Sequence, residues 1–246
     1  MSDHQRVALI TGSATGIGRA AAIRFAKEGL SVGINYSRSE ADANDALAEV
    51  RRLGARAALY CCNVGCDADV RTMVQRCCQE LGGIDVLVNN AGTTRFIDHT
   101  DLDGLDDGVW DEILGVNLKG TFYCCRAAMP ALAERSGAIV NVTSVAGLQG
   151  NGSSIPYAAS KAALNCMTKS LARAFAPRVR VNAVAPGPVL TRWLADHTEQ
   201  VKRYVEMTPM QRAATPDDIA DAIAFLALGT TLVTGQVMVV DGGRTV

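Results

Sequence analysis

The 246-residue chain has the composition of an ordinary globular protein. Hydrophobic residues make up 48% and charged residues 20% of it, which excludes an intrinsically disordered chain. The 24 basic and 25 acidic side chains leave a formal net charge of -1, so there is no basic excess to bind nucleic acid. The first apolar run, residues 7–10, is too short for a signal peptide or a membrane span. We therefore expect a cytoplasmic protein without a membrane partner.

Short apolar segments typical of strands alternate with longer helical patterns along the whole chain. Runs such as 86–88 and 139–142 are apolar on successive residues, which indicates a sheet covered by helices on both faces. The right-handed crossover rule then predicts an α/β fold with a doubly wound parallel sheet of about seven strands, in a single domain spanning 1–246. The predicted strands are 6–10, 31–35, 56–61, 84–88, 138–142, 179–184 and 237–240, and the predicted helices are 17–28, 39–53, 67–81, 107–133, 156–175 and 216–227.

The segment TGSATGIG (11–18) joins the first strand to the first helix. Gly12 allows a tight turn, Gly16 lets the backbone approach a pyrophosphate, and Gly18 lets the helix pack closely on the sheet. The N-terminus of the helix offers free N–H groups to phosphates. The spacing is GxxxGxG rather than GxGxxG, so a purely structural turn remains an alternative. Three further candidate cofactor-binding residues in this loop are Ser13, Thr15 and Ile17.

The end of the second strand bears on the choice of cofactor. Enzymes that use NAD usually place an acidic residue here to hold the ribose hydroxyls, but this chain has no acid before Glu40. Arg38, with the hydroxyls of Ser37 and Ser39, could receive a 2′-phosphate. Together with the neighbouring Tyr36, these residues favour NADP(H), with NAD(H) as the second option. The alternative is a solvated arginine that opens the next helix.

Tyr157 and Lys161 lie four residues apart at the start of a helical pattern. They share one helix face, so the phenol and the ammonium point into one site. An unperturbed tyrosine has a pKa of about 10, and a nearby cation favours the phenolate. We therefore expect Lys161 to lower the pKa of Tyr157 and Tyr157 to exchange a proton with substrate. A half-exposed pair formed by chance is the alternative.

Ser144 follows the strand 138–142 at its carboxyl end, where open α/β sheets bind ligands. Its hydroxyl could donate a hydrogen bond to a substrate oxygen while Tyr157 delivers the proton; an ordinary turn cap is the alternative. The glycine-containing segment 147–152 is expected to loop outward before the tyrosine helix.

These motifs follow one another in the order found in the short-chain dehydrogenases/reductases. The sequence most resembles the 3-oxoacyl-[acyl-carrier-protein] reductases and their close relatives, over essentially the whole chain. The resemblance implies a Rossmann-like fold and an NADP(H)-dependent reduction of a carbonyl, such as a 3-oxoacyl thioester, to a secondary alcohol. It depends on TGSATGIG (11–18), NNAG (89–92), Asn117, Ser144, YAASK (157–161), PGPVLT (186–191) and DGG (241–243).

The resemblance also implies a role for each matched residue. Tyr157 would be the general acid, Ser144 would polarise the carbonyl oxygen, and Lys161 would hold the nicotinamide ribose. Asn117 would position a water that links Lys161 to solvent. The remaining cofactor contacts would be Asn63 and Val64 at the adenine, Asn90, Ala91 and Gly92 along the adenosine ribose, Thr191 at the carboxamide, and Pro186, Gly187 and Val189 beside it.

Substrate recognition is expected in a lid segment near 188–212. The segment is amphipathic enough to form a helical lid over an apolar substrate; ordinary core or subunit contacts are the alternative. Its candidate residues are Trp193, Leu194, His197, Tyr204, Met207 and Met210, with Phe96, Gln149 and Ile155 elsewhere in the pocket. A carrier-protein partner would need a basic patch, for which the candidates are Arg95, Arg192, Lys202, Arg203 and Arg212.

The eight cysteines are expected to be reduced and buried as small hydrophobic groups. No metal site is expected, because no CxxC recurs and the chain has three histidines. The family resemblance suggests a homotetramer whose interface involves helices 107–133 and 156–175, where Cys124 and Cys125 would pack.

Three other functions remain open. One is a dehydrogenase of the same family that acts on a sugar, polyol, steroid or other small alcohol. A nucleotide-sugar epimerase is disfavoured because the chain has no added substrate domain. A catalytically silent NADP-binding sensor is disfavoured because Asn117, Ser144, Tyr157 and Lys161 are all present.

Overall fold

A computed structural model describes residues 4–194 and 198–246 of the chain. All seven predicted strands are present, and they form one parallel sheet in the order β3-β2-β1-β4-β5-β6-β7. The sequence prediction of a Rossmann-like doubly wound sheet is thereby confirmed. The strands are β1 (Val7–Ile10), β2 (Ser31–Tyr36), β3 (Ala57–Cys61), β4 (Val86–Asn89), β5 (Ala138–Val142), β6 (Arg180–Pro186) and β7 (Val237–Val240).

The central strands are buried because helices cover both faces of the sheet. Every residue of β1, β4 and β5 is buried. Along β1, Ala8 and Ile10 join one hydrophobic cluster and Val7 and Leu9 join the other, as the alternation of side chains across a strand requires. Continuous apolar runs are therefore the sequence pattern of a sheet with two covered faces.

Each face of the sheet has its own set of helices. Phe25 and Ile223, from the first and last helices, belong to one cluster, whereas Met73 and Leu132 belong to the other. The helices are α1 (Gly16–Lys27), α2 (Glu40–Arg52), α3 (Asp67–Leu81), α4 (Asp107–Leu114), α5 (Thr121–Glu134), α6 (Ala146–Gln149), α7 (Ile155–Phe175), α8 (Thr198–Glu206) and α9 (Pro216–Leu228).

The predicted helical pattern over 107–133 is confirmed, but it does not form a single regular α-helix. A π-helical turn, Gly115–Gly120, separates α4 from α5, and π-turns of this kind are frequent at functional sites. A Cβ on Gly120 would lie 2.9 Å from the carbonyl oxygen of Val64, so a glycine lets the turn pass close to the loop after β3. The apolar periodicity continues through the turn, and the sequence pattern therefore did not reveal it.

The segment 147–152 was expected to be a loop, but its first residues belong to the short helix α6. The chain then turns through Gly150, at a φ of 68°, before α7 starts. This detour carries the backbone from the end of β5 to the first turn of the tyrosine helix.

The cysteines are free thiols. Cys62, Cys77, Cys124 and Cys125 are buried, as expected, whereas Cys61 and Cys166 are exposed, contrary to the expectation for the set. Within residues 4–194 and 198–246, no cluster of three or more His, Cys, Asp and Glu side chains could hold a metal ion. In the same ranges, no helix has both the length and the apolar character to cross a bilayer.

Candidate active site

A cavity of about 470 Å³ opens at the carboxyl edge of the sheet. The turn after β1, the loops after β2, β4, β5 and β6, and the start of α7 all contribute to its walls. Most of the predicted site residues lie here. Those that line the cavity are Gly12, Thr15, Gly16, Ile17, Tyr36, Ser37, Arg38, Asn90, Ala91, Gly92, Ser144, Tyr157, Lys161, Pro186, Gly187, Val189 and Thr191.

The turn between β1 and α1 requires glycine for distinct reasons. Gly12 has a φ of 61°, and a Cβ there would lie 2.9 Å from the Cα of Ala91. Gly16 also has a positive φ, of 56°, and lines the cavity. A Cβ on Gly18 would lie 2.4 Å from the carbonyl oxygen of Gly12. Gly18 therefore packs beneath the turn itself.

Polar side chains hold this turn in place. Asn35 accepts a hydrogen bond from the Gly12 N–H at 3.0 Å, and Asn90 donates to the carbonyl oxygen of Gly12 at 2.9 Å. The Ser13 hydroxyl donates to the Ile10 carbonyl at 2.8 Å and accepts from the Asn35 N–H at 3.0 Å. Ser13 is fully buried and is not part of the cavity wall. It supports the turn and is not placed to contact a ligand, unlike the sequence expectation.

Asn63 and Val64 also lie away from the cavity, although the family resemblance implies an adenine contact for them. The Asn63 side chain caps its own loop by accepting a hydrogen bond from the Gly65 N–H at 3.0 Å. Val64 is buried in the core beside α3 and α5, against the close approach of Gly120. Neither side chain lines the cavity in this structure.

Tyr157 and Ser144 meet at the inner end of the cavity. Burial raises the pKa of Tyr157 to about 12, while a hydrogen bond from Ser144 acts on that pKa in the opposite direction. The Ser144 hydroxyl oxygen also accepts a hydrogen bond from the Ala146 N–H at 3.1 Å, which fixes its position at the start of α6. A phenol in this setting keeps its proton at neutral pH and can donate it to a bound oxygen.

Lys161 is buried one helical turn after Tyr157. Its Nζ donates a hydrogen bond to the Val142 carbonyl at 2.8 Å and lies 5.6 Å from the centre of the Tyr157 ring. Burial lowers the pKa of Lys161 to about 8. The pKa of Tyr157 is raised overall, because burial outweighs the hydrogen bond from Ser144, so the net lowering expected from the sequence is not seen.

Asn117 lies in the π-helical turn, behind the cavity wall. Its amide donates to the Thr93 carbonyl at 3.0 Å and to the Ser160 hydroxyl at 3.1 Å, and its Oδ1 accepts from the Thr93 N–H at 2.8 Å. The Ser160 hydroxyl in turn donates to the Tyr157 carbonyl at 2.7 Å. The Asn117 side chain therefore connects the π-turn to the first turn of α7 and fixes the backbone at Tyr157.

The lid segment contributes rings and cations to the outer part of the cavity. Trp193 lies edge-on to Tyr157, with 6.2 Å between the ring centres, and Leu194, Tyr204 and Phe96 also line the wall. Met207 and Met210 are 64% and 65% exposed, so they do not pack as core. Gln149 and Ile155 are not among the lining residues, and His197 lies outside the described residues.

Comparison with known proteins places this geometry in a family. The family model described as enoyl-(acyl carrier protein) reductase matches residues 12–245. A Streptomyces violaceoruber protein named as ketoacyl reductase 2 of the granaticin polyketide synthase is 44% identical over 242 residues, covering 96% of this chain and 95% of the relative. A solved short-chain dehydrogenase from Burkholderia cenocepacia in complex with NADP has a TM-score of 0.93 at 33% identity, with 99% of both chains covered. The chain belongs to the short-chain dehydrogenase/reductase family.

A second solved structure extends the comparison to another cofactor. A 3-oxoacyl-[acyl-carrier protein] reductase from Brucella melitensis, with bound NAD, has a TM-score of 0.88 at 35% identity and covers 100% of this chain and 93% of that one. Short-chain dehydrogenases/reductases bind NAD(P). This member is an oxidoreductase that acts on CH–OH or C=O groups.

The cations proposed for a carrier-protein patch are mostly paired within this short-chain dehydrogenase/reductase. Arg95 binds Glu112, Lys202 binds Glu199 and Arg212 binds Asp218. Arg192 instead reaches across the cavity mouth, donating to Thr15 Oγ1 and to Asp42, each at 2.9 Å. Arg203 is exposed on α8.

Sequence reasoning missed several residues of the site. Asn35 could have been found as a polar residue that directly follows the apolar Ile34 in the second strand. Ser160 lies inside the YAASK motif, but the motif by itself gives this residue no role. Arg244 follows the DGG motif and lines the cavity; its distance from the other motifs along the chain gave no signal of this contact.

Proposed function

We propose that the protein reduces the carbonyl of a 3-oxoacyl thioester, or of a similar ketone, to a secondary alcohol with NADP(H). The observation that carries the proposal is the phenol of Tyr157 hydrogen-bonded to the Ser144 hydroxyl, in a cavity at the carboxyl edge of the sheet. In this proposal, residues 1–246 form a single cytoplasmic domain with a lid near 188–212, which assembles as a homotetramer through the helices of 107–133 and 156–175.

The walls of the cavity suit a nicotinamide dinucleotide. Helix α1 starts at the glycine turn with no acidic residue in its first turn, so its N–H groups face the cavity without a competing anion. Among the described residues that line the cavity there is no carboxylate. When bound, the nicotinamide supplies the hydride. The residues proposed to hold the cofactor are Gly12, Thr15, Gly16, Ile17, Tyr36, Ser37, Arg38, Asn90, Ala91, Gly92, Tyr157, Lys161, Pro186, Gly187, Val189 and Thr191.

The preference for NADP(H) over NAD(H) is assigned to the end of β2. Arg38, Ser37 and Ser39 line the same end of the cavity. A guanidinium and two hydroxyls can bind a 2′-phosphate, whereas an acidic side chain at this position would repel it.

Reduction of the carbonyl makes its oxygen negative, and the protein stabilises that charge. Ser144 and Tyr157 would both donate hydrogen bonds to this oxygen, and Tyr157 would then transfer its proton to it. The phenolate left on Tyr157 lies near the Lys161 ammonium, which lies 5.6 Å from the ring centre and stabilises it. Asn117 would act through Ser160 to hold the backbone at Tyr157.

A substrate screen tests the proposal. The enzyme would be given NADPH with acetoacetyl thioesters, with crotonyl thioesters, and, in the reverse direction with NADP, with a panel of sugars, polyols and steroid alcohols. We expect the highest kcat/KM with the acetoacetyl thioesters. A higher kcat/KM for a crotonyl thioester, or for an alcohol of the panel, would overturn the substrate assignment, and no turnover with any of them would overturn the reaction.

A further inference from the structure

Arg244 brings a positive charge to the outer part of the cavity. Its guanidinium carbon lies 4.4 Å from the centre of the Tyr204 ring, and both residues line the wall. The Arg244 Nε is buried, and it has no hydrogen-bond partner within residues 4–194 and 198–246. Buried donors normally have a partner, so the side chain is placed for a group that the described residues do not supply.

A compact turn holds Arg244 in this position. The Asp241 carboxylate accepts hydrogen bonds from the N–H groups of Gly243 and Thr245, each at 2.9 Å. A Cβ on Gly187 would lie 2.8 Å from the Asp241 Cβ, so the turn packs directly against the loop after β6. Arg244 is therefore fixed beside the Pro186–Gly187 segment rather than carried on a free chain end.

Three other cations line the cavity, and each has a different assignment. Lys161 donates to the Val142 carbonyl, Arg192 binds Thr15 and Asp42, and Arg38 lies at the end of β2. Arg244 forms no ion pair with a carboxylate among the described residues. Its contact with the Tyr204 ring orients the plane of the guanidinium but does not neutralise its charge.

We propose that Arg244 is a substrate-binding residue that recognises an anionic group, a carboxylate or a phosphate, on the carbonyl substrate. The inference rests on the proposed carbonyl reduction and adds the charge of the substrate to it. A planar guanidinium with free N–H donors matches the paired oxygens of a carboxylate or a phosphate. The described cavity lining contains no acidic residue. No carboxylate of that lining therefore competes with a substrate anion for the Arg244 guanidinium.

Three substrates with the same reacting ketone separate the possibilities. Acetoacetate carries a carboxylate one methylene group away from the ketone, acetoacetyl coenzyme A carries phosphates far from it, and S-acetoacetyl-N-acetylcysteamine is neutral. The substitution Arg244→Gln is expected to raise KM for at least one of the anionic substrates by about 10–100-fold, the usual range for losing a charged hydrogen bond. The values of kcat, and of KM for the neutral thioester, should stay within about twofold.

The pattern of loss identifies the anion. A loss confined to acetoacetate indicates a carboxylate, and one confined to the coenzyme A thioester indicates a phosphate. The variant Arg244→Lys should recover part of the loss, because it keeps the charge but not the paired donors. As a control, Arg178→Gln removes an exposed cation that does not line the cavity and should change neither KM.

Two results would overturn the proposal. One is an equal change in KM for the neutral and the anionic substrates, including no change in any of them. The other is a rise in the Kd for NADPH, measured by nicotinamide fluorescence, that matches the rise in KM and thus assigns Arg244 to the cofactor. If the wild-type enzyme reduces none of the three compounds, the proposed function is contradicted instead. A failure of the Arg244 proposal and a failure of the proposed function are therefore distinguishable.

Discussion

The two ends of the cavity are built in different ways. At the nucleotide end, glycines with positive φ and buried side chains such as Ser13 and Asn35 fix the main chain. At the substrate end, side chains of the lid such as Trp193, Leu194 and Tyr204 form the wall, and Trp193 is 43% exposed. Main-chain geometry therefore defines the nucleotide end, and the identity of the side chains defines the substrate end. A cofactor shared by a family suits the first arrangement, and a substrate that differs between members suits the second.

The largest expected effect is at the inner end, where the two regions meet. Tyr157→Phe removes the proton donor and should lower kcat/KM for carbonyl reduction by about 10²–10⁴-fold, the usual contribution of general acid catalysis. The Kd for NADPH should stay within about threefold, because the ring and its packing remain. Tyr123→Phe on α5, outside the cavity, is the matched control. Full activity in Tyr157→Phe would remove this residue from its role.

At the nucleotide end, Arg38→Glu tests cofactor choice. Reversing the charge should weaken NADPH binding by about 100-fold, because a carboxylate would face the 2′-phosphate. Binding of NADH, which lacks that phosphate, should change little. Arg52→Glu makes the same charge change on α2 away from the cavity. Fluorescence titration with both cofactors gives the result, and equal losses for NADPH and NADH would contradict the phosphate assignment.

The pH dependence should report on Lys161. Its pKa is lowered to about 8, whereas that of Tyr157 is raised to about 12. As pH rises through about 8, Lys161 loses its charge while Tyr157 keeps its proton. The kcat/KM for reduction should then fall up to tenfold per pH unit. In Lys161→Arg the cation persists, and the decline should disappear. A decline that is unchanged in this variant would assign it to another group.

The steric requirement for glycine in the turn after β1 can be tested by comparison with another glycine that has a positive φ but no close neighbours. Gly12→Ala and Gly54→Ala both force a positive φ on alanine, at 61° and 86°, but a Cβ on Gly54 meets nothing within 4 Å. We expect Gly54→Ala to lower the free energy of unfolding by about 1–2 kcal/mol. Gly12→Ala should lose more, and its NADPH affinity should fall roughly tenfold or more. Urea unfolding measures the free energy of unfolding of the two variants, and cofactor titration measures their NADPH affinity. Equal losses in Gly12→Ala and Gly54→Ala would show that the contact with Ala91 is unimportant.

The smallest effect is expected where the lid touches the nucleotide end. Asp42 binds Arg192 in a solvent-accessible ion pair, and such pairs contribute about 0–1 kcal/mol. Asp42→Asn should therefore change the free energy of unfolding by less than about 1 kcal/mol. Asp45→Asn, an exposed neighbour on α2, is the control. A loss several times larger in Asp42→Asn would mean that the lid is an integral part of the fold.

The nucleotide end could be predicted because its physical demands limit the choice of residue. Gly12 and Gly18 leave no room for a side chain, and such positions are visible as glycines in the sequence. The strands could also be predicted from the sequence, since burial on both faces of the sheet requires continuous apolar runs. The π-helical turn could not be predicted, because its hydrogen-bond pattern does not change the apolar periodicity of the sequence around Asn117.

Other features depend on contacts that no local pattern encodes. The pKa of Tyr157 is set mainly by burial beneath distant segments, which outweighs the neighbouring Lys161 that the sequence suggested. Asn63 is turned into its own loop by a hydrogen bond to Gly65, although its motif implied a ligand contact. Arg244 reaches the cavity only because the last turn packs on Gly187. Each of these outcomes is decided by tertiary packing.

The position of β1 inside the sheet, between β2 and β4, has a consequence for how the enzyme is made. This strand is synthesised first, yet its neighbour β4 comes some 80 residues later, at Val86–Asn89. Helix α1 likewise packs against α9, and Arg24 binds Asp221 across them. A nascent chain on the ribosome can therefore complete neither the sheet nor the cavity until β7 and the turn at Asp241 have emerged. We expect no active amino-terminal fragment that stops short of Asp241.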